Sequence, residues 1–129
     1  MTVTLSRLSF EHAQVLIKNL QCALDGRGEW SLHRPSRGVE KRFIEKHGIA
    51  EYAKWHLGED DDEDEDSRRR YKFPYGDFNK VHRCAVLAAE SRAGQYRYDD
   101  IELAAAHLHG MLETLVKSGM PKGAHVPSH

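Results

Sequence analysis

From Phe78 to Leu115 apolar residues return every three or four positions, and that rhythm constrains the chain more than any other feature. Phe78, Val81, Cys84, Ala85 and Ala88 fall on one face of a helix. The run from Cys84 to Ala89 is apolar on every side, the pattern of a helix packed from several directions. Asp77 is placed to N-cap this helix, because its carboxylate can accept an orphan amide hydrogen two or three residues on. Pro74 and Gly76 keep the preceding segment out of the helix, and Gly94 offers a left-handed stop. A second stripe follows: Ile101, Ala104, Ala105, Leu108, Met111, Leu112 and Leu115. Asp99 and Glu102 have the spacing of a capping box, and Tyr98 and Leu103 that of a hydrophobic staple. Gly119 and Pro121 end it. The short connection from Gln95 to Tyr98 predicts an antiparallel helical hairpin.

Upstream the pattern is weaker. Val3 and Leu5 alternate with polar neighbours, as in a short strand or an extended arm. Ser9 is placed to cap a helix whose apolar face is Phe10, Ala13, Leu16, Ile17, Leu20 and Leu24, and which stops at Asp25-Gly26. Trp30 to Pro35 reads as an extended or looped stretch. Ser36 caps a second helix to about His47, Gly48 interrupts it, and Ile49 to Leu57 resumes helical spacing up to a C-cap at Gly58. The expected architecture is a single all-α domain, residues 1–129, with four to five helices around the C-terminal hairpin. The alternative is α+β, with short strands near Val3 to Leu5 and Trp30 to Leu32. Residues 59–70 are expected to form a mobile charged loop, and residues 118–129 a frayed tail.

A chain of 129 residues can bury a real core without staples. Two cysteines, Cys22 and Cys84, are too few for a disulfide framework and fall in apolar positions. No signal peptide is expected from the first residues, and no apolar run approaches membrane-spanning length. The expected setting is a reducing cytoplasm.

No motif specifies a reaction. Glu59 to Asp66 is eight consecutive carboxylates, followed by the cations Arg68, Arg69 and Arg70. Calcium loops need a glycine and a distal glutamate at fixed offsets. Frames starting at Asp60 and Asp62 put Glu65 and Ser67 at the glycine position, so both fail. Nine histidines raise the question of zinc. On a helix His107 and His109 point to opposite flanks, and the same argument separates His82 from Cys84. No CxxC, HxxxH or HExxH occurs. Cys84 in an alanine-rich helix reads as buried and inert. No catalytic residue, metal ligand or cofactor is therefore expected.

A binding surface is better supported. Arg68, Arg69, Arg70 and Lys72 interleave with Tyr71, Phe73 and Tyr75, and Lys80, His82 and Arg83 follow. Cations among aromatics suit phosphate neutralisation and base stacking. The net charge of -1 and the adjacent acid run weigh against nucleic acid. The bland reading is that the arginines neutralise the acid run and the aromatics are core. Alternatively, the acid run itself faces a basic partner. The expected function is a non-enzymatic protein-interaction or adaptor module, with a nucleic-acid-associated protein as the alternative. Arg68, Arg69, Arg70, Lys72, Tyr75, Lys80, His82 and Arg83 are the candidate contacts. The stripe from Ile101 to Leu115 also admits a homodimer.

Trp55-His56-Leu57-Gly58, the acid run, Tyr71 to Asp77, Lys80 to Arg83, Ala88-Ala89 and Arg92-Ala93 together resemble a small bacterial domain family of unknown function. The resemblance covers roughly Trp55 to Ala93. It implies that the acid loop, the Phe-Pro-Tyr-Gly turn and the hairpin form one unit, and it carries no activity.

Overall fold

The computed structural model describes residues 2–119. In chain order it runs β1 (Val3–Leu5), α1 (Arg7–Lys18), β2 (Cys22–Ala23), α2 (Trp30–His33), α3 (Arg37–His47), α4 (Ile49–Ala53) and β3 (His56–Asp60). A one-turn 3-10 helix (Arg68–Arg70) then leads into β4 (Tyr71–Pro74), β5 (Val81–His82), α5 (Arg83–Tyr96) and α6 (Asp99–Lys117).

The hairpin is α5 and α6, joined through Arg97 and Tyr98 and packed along each other. What covers it is not helices alone. A three-stranded antiparallel sheet, ordered β1-β3-β4, lies against α6, and β2 pairs in parallel with β5. The all-α expectation is overturned: 58% of the described residues are helical and 14% are in strands, a mixed α/β fold. The reason lies in non-local pairing. Val3 pairs with Asp60 and Leu5 with Gly58, so β3 finds its partner at the far end of the sequence. The strand itself, His56-Leu57-Gly58-Glu59-Asp60, has no alternation that would announce it.

Gly58 is the hinge of this packing. It sits in the middle strand, not at a helix end as its sequence context predicts. A β-carbon there would lie 3.0 Å from both Ile101 Cδ1 and Phe73 Cδ2, so the missing side chain lets α6 press onto the sheet.

Other boundaries move for local reasons. Ser6, not Ser9, caps α1 and accepts the Ser9 amide hydrogen. α1 ends at Lys18, and Leu20 takes a left-handed φ of 61°, turning Cys22 and Ala23 into a strand. Trp30 to His33 forms a helical turn where an extended or looped stretch was expected. Ser36 caps α3 as predicted, and Gly48 separates α3 from α4 at φ 89°. The stop of α5 is Arg97 at φ 60°, beyond Gly94. Asp99 and Glu102 form no capping box: Tyr98 holds the cap position without a side-chain bond, and Leu103 is exposed.

The acid run also behaves differently from a free loop at its ends. Glu59 and Asp60 belong to β3, and Asp60 is buried. The β3–β4 connection is tied down by Arg70 Nη1 donating to the Glu63 carbonyl at 2.9 Å and by Tyr71 Oη donating to the Glu65 carbonyl at 2.6 Å. The part of the predicted tail from residue 120 onward lies outside the described residues.

Tyr75 fills the centre. It is fully buried beneath Trp55, whose ring stacks on it at 5.6 Å. Its hydroxyl donates to the Lys54 carbonyl at 2.6 Å, so its oxygen is left to accept from His12 Nδ1 at 2.7 Å. Burial holds His12 below its ordinary pKa, which suits a neutral ring with the proton on Nδ1.

Candidate functional site

Two features lie on either side of α2. One is a buried cluster of chemistry-bearing side chains. The other is a pair of adjoining recesses lined by cations and rings.

The cluster is assembled by the parallel pair. Cys22 pairs with Val81 and Ala23 with His82, which puts Asp25, two residues past β2, beside the end of β5. His82 is the last residue of β5, and α5 starts at Arg83. Asp25 Oδ1 accepts the backbone amide of Cys84 at 2.7 Å, in the first turn of α5. Asp25 Oδ2 faces His82 Nδ1 at 2.7 Å and His33 Nδ1 at 2.8 Å. His82 Nε2 lies 2.8 Å from Asp77 Oδ2. Asp77 is held in turn by the amides of Asn79 and Lys80 and by Lys80 Nζ. Cys84 Sγ is 3.5 Å from His33 Nδ1.

Burial alone would lower the pKa of His82, but its bonds to Asp25 and Asp77 outweigh that and raise it to about 9. Burial would raise both aspartates; the same bonds, with amide donors, hold them below the ordinary carboxylate value. Burial and the Asp25 carboxylate push the Cys84 thiol well up. Both effects disfavour the free thiolate that a nucleophile would need, despite the imidazole neighbour. His33 also uses the same ring nitrogen toward both Asp25 and Cys84, so the three form no nucleophile–base–orienter relay.

Here the helical-spacing argument against His82 and Cys84 fails. It assumed a helix running from Asp77. The strand ends at His82 and the helix begins at Arg83, so the two residues straddle a junction and both converge on Asp25. Asp25 and His33 carried no signal in the sequence. They reach the cluster from 57 and 51 residues away, respectively, counted to His82 and Cys84. Asp77 does accept amides two and three residues on, as a cap would, but at a turn rather than a helix start.

The second feature begins with an apolar pocket of about 440 Å³ under Trp30, Phe73, Ala89 and Tyr98, rimmed by Arg34, Lys72 and Arg92. Phe73 is held there at φ 62°, a left-handed conformation costing about 1–3 kcal/mol for a bulky residue. A polar cleft adjoins it, lined by Arg37, Arg68, Arg69, Tyr52 and Tyr71, and it shares Arg34, Lys72 and Pro74 with the pocket. Arg34, Arg37, Arg69, Lys72 and Arg92 form no side-chain ion pair with another described residue. Arg68 pairs with Glu40 at 3.4 Å in an exposed position, which stabilises by ~1 kcal/mol at most.

The eight sequence-predicted contacts are therefore divided. Arg68, Arg69 and Lys72 line the cleft. Arg70 is turned to Glu59 and Asp61, neutralising the acid run. Tyr75 is wholly inside the core. Lys80 pairs with Asp77 at 3.0 Å, and Arg83 with Glu113 at 2.6 Å. His82 is buried in the cluster. Trp30 and Arg34 were missed, because α2 brings them to β4 only in three dimensions. Histidines 107 and 109 are separate as expected: His107 meets Gln14 and Phe10, His109 meets Glu90 and Glu113.

No protein-family model matches the chain, and no curated protein or solved structure matches it. Among the described residues, no helix is long and apolar enough to cross a membrane.

Proposed function

We propose that this chain is a non-enzymatic protein-interaction module that takes an acidic segment of a partner protein. One apolar or aromatic side chain of that segment enters the pocket beneath Trp30 and Tyr98. Its carboxylates lie along Arg34, Arg37, Arg69 and Lys72. The observation that carries this reading is the continuity of the two recesses through Arg34, Lys72 and Pro74, with cations not engaged elsewhere in the described fold. Burial of one leucine or phenylalanine side chain supplies roughly 1.5–3 kcal/mol. Each exposed ion pair adds less, ~0.2–1 kcal/mol, but together they orient the segment and speed encounter.

A second reading has its own observation. Tyr96 is exposed, its ring lies 5.9 Å from that of Tyr98 at a 33° tilt, and Arg92 stands nearby. Such a platform suits stacked bases of a single strand. The acid run beside the cleft repels a continuous phosphate backbone more than one compact acidic segment, which favours the peptide.

Fluorescence anisotropy separates the two. Acidic peptides with and without one tryptophan or leucine, and a single-stranded oligonucleotide, are titrated across a salt series. The peptide bearing the apolar residue should bind, weaken with salt, and lose at least about tenfold in affinity in the Arg34→Ala, Lys72→Ala double variant. Binding of the oligonucleotide alone selects the second reading; binding of neither rejects both.

The reading places the chain in a bacterial cytoplasm, where its two buried free thiols, Cys22 and Cys84, stay reduced. A homodimer belongs to the same proposal. Ile101, Ala104, Ala105, Leu108 and Leu112 are buried within the chain, so a dimer would use other surface, such as exposed Leu103. Sedimentation decides it.

A further inference from the structure

The geometry points to a four-ligand site for a divalent transition metal of the zinc class, formed by Asp25, His33, His82 and Cys84. This inference is independent of the binding reading above.

The donor atoms of these residues all lie within 4.8 Å of one another. They come from three separate stretches of chain: the turn after β2, the end of α2, and the junction where β5 runs into the first turn of α5. Two imidazole nitrogens, one carboxylate oxygen and one thiolate make a borderline donor set, the kind that selects zinc or cobalt over calcium or magnesium. Asp25, His82 and Cys84 are buried, whereas the His33 side chain is 33% exposed and gives a route in from solvent.

The supporting layer is that of a metal site. Asp77 sits 2.8 Å from His82 Nε2, the nitrogen facing away from the other donors, and so aims Nδ1 into the cluster. Asp77 is itself locked by two amides and Lys80. The Cys84 amide fixes Asp25 Oδ1 and leaves Oδ2 turned to both imidazoles. One divalent ion with the Asp25 carboxylate and the Cys84 thiolate is locally neutral, which removes the cost of an uncompensated buried charge.

The present separations of 2.7 and 2.8 Å from Asp25 Oδ2 to the two Nδ1 atoms are those of hydrogen bonds. Bonds of about 2.0–2.3 Å to a tetrahedral metal place ligand atoms roughly 3.3–3.8 Å apart. Binding therefore spreads these groups by about an ångström or less, a movement the single turn of α2 can supply.

The test is a cobalt(II) titration of the purified full chain followed by absorption. Tetrahedral cobalt with a thiolate ligand gives intense visible bands and a near-ultraviolet sulfur-to-metal charge-transfer band. About one equivalent should bind with both signatures. The charge-transfer band should survive Cys22→Ala and vanish in Cys84→Ser. His33→Ala, at the exposed edge, should stay folded by circular dichroism and bind at least roughly tenfold more weakly; Asp77→Asn, which only aims His82, should lose about 10–100-fold. Cobalt bound without the charge-transfer band would overturn the proposal, as would no binding by the folded wild type. Equal affinity in folded His33→Ala and wild type would also overturn it. If Cys84→Ser fails to fold, the wild-type spectrum and His33→Ala decide.

Discussion

His56 shows how one residue reads differently in sequence and in space. Nothing around it in Trp55-His56-Leu57 marks it as unusual, yet it is buried on β3, with Nδ1 2.9 Å from the Tyr52 carbonyl. Burial lowers its pKa to about 4, the Tyr52 bond opposing only partly. Because the folded value lies below the unfolded one, the unfolded chain binds the proton first as pH falls. The stabilisation is complete above about pH 6.5 and is lost between there and pH 4, amounting to ~3 kcal/mol. Urea unfolding at pH 7 and pH 5 should show this decline, and His56→Gln should flatten it. An unchanged pH slope in that variant would mean other groups carry the effect. Cys84 makes the complementary point: its burial was legible from its alanine-rich run, whereas its neighbours His33 and Asp25 were not.

At the scale of elements, the strands depend on small spaces. Gly58→Val would put branched carbons against Ile101, Phe73 and Val3, all within 3.3 Å of a β-carbon there. Overpacking of this kind costs about 1–3 kcal/mol, while replacing a strand glycine returns only ~0.5–1 kcal/mol of backbone entropy. The clash wins, and thermal unfolding should show a net loss; a rise in the midpoint would show that α6 lifts from the sheet freely. The helices were the more legible elements, because their period repeats within a few residues: α3 with its Ser36 cap, and the stripe of α6, lie where the spacing put them. The strands were not. β2 and β5 are two residues each, and β3 is defined by partners on either side of it in the sequence, β1 near the N-terminus and β4 beyond the acid run.

For the whole molecule, charge is segregated rather than balanced. The cations of the cleft and the exposed carboxylates Asp64, Glu65 and Asp66 flank the same 3-10 turn. Deleting the entire acid run would cut away Glu59 and Asp60 and with them part of β3. Asp64→Asn, Glu65→Gln and Asp66→Asn together remove charge and keep the strand. The proposed acidic peptide should then bind on the order of threefold more tightly at low salt, with the gain fading as salt is raised. Weaker binding would instead mean that these carboxylates themselves hold the partner.

The sequence by itself determined the hairpin, the Ser36 helix, the burial of both cysteines and the presence of a charged segment, since each rests on residues close in the chain. Only the tertiary structure decided that the fold contains sheets, that Tyr75 is core rather than surface, and that Asp25, His33, His82 and Cys84 meet. Periodicity reports which face of an element is buried. It says nothing of what lies opposite, and strand pairing and converging side chains are made entirely of such long-range neighbours.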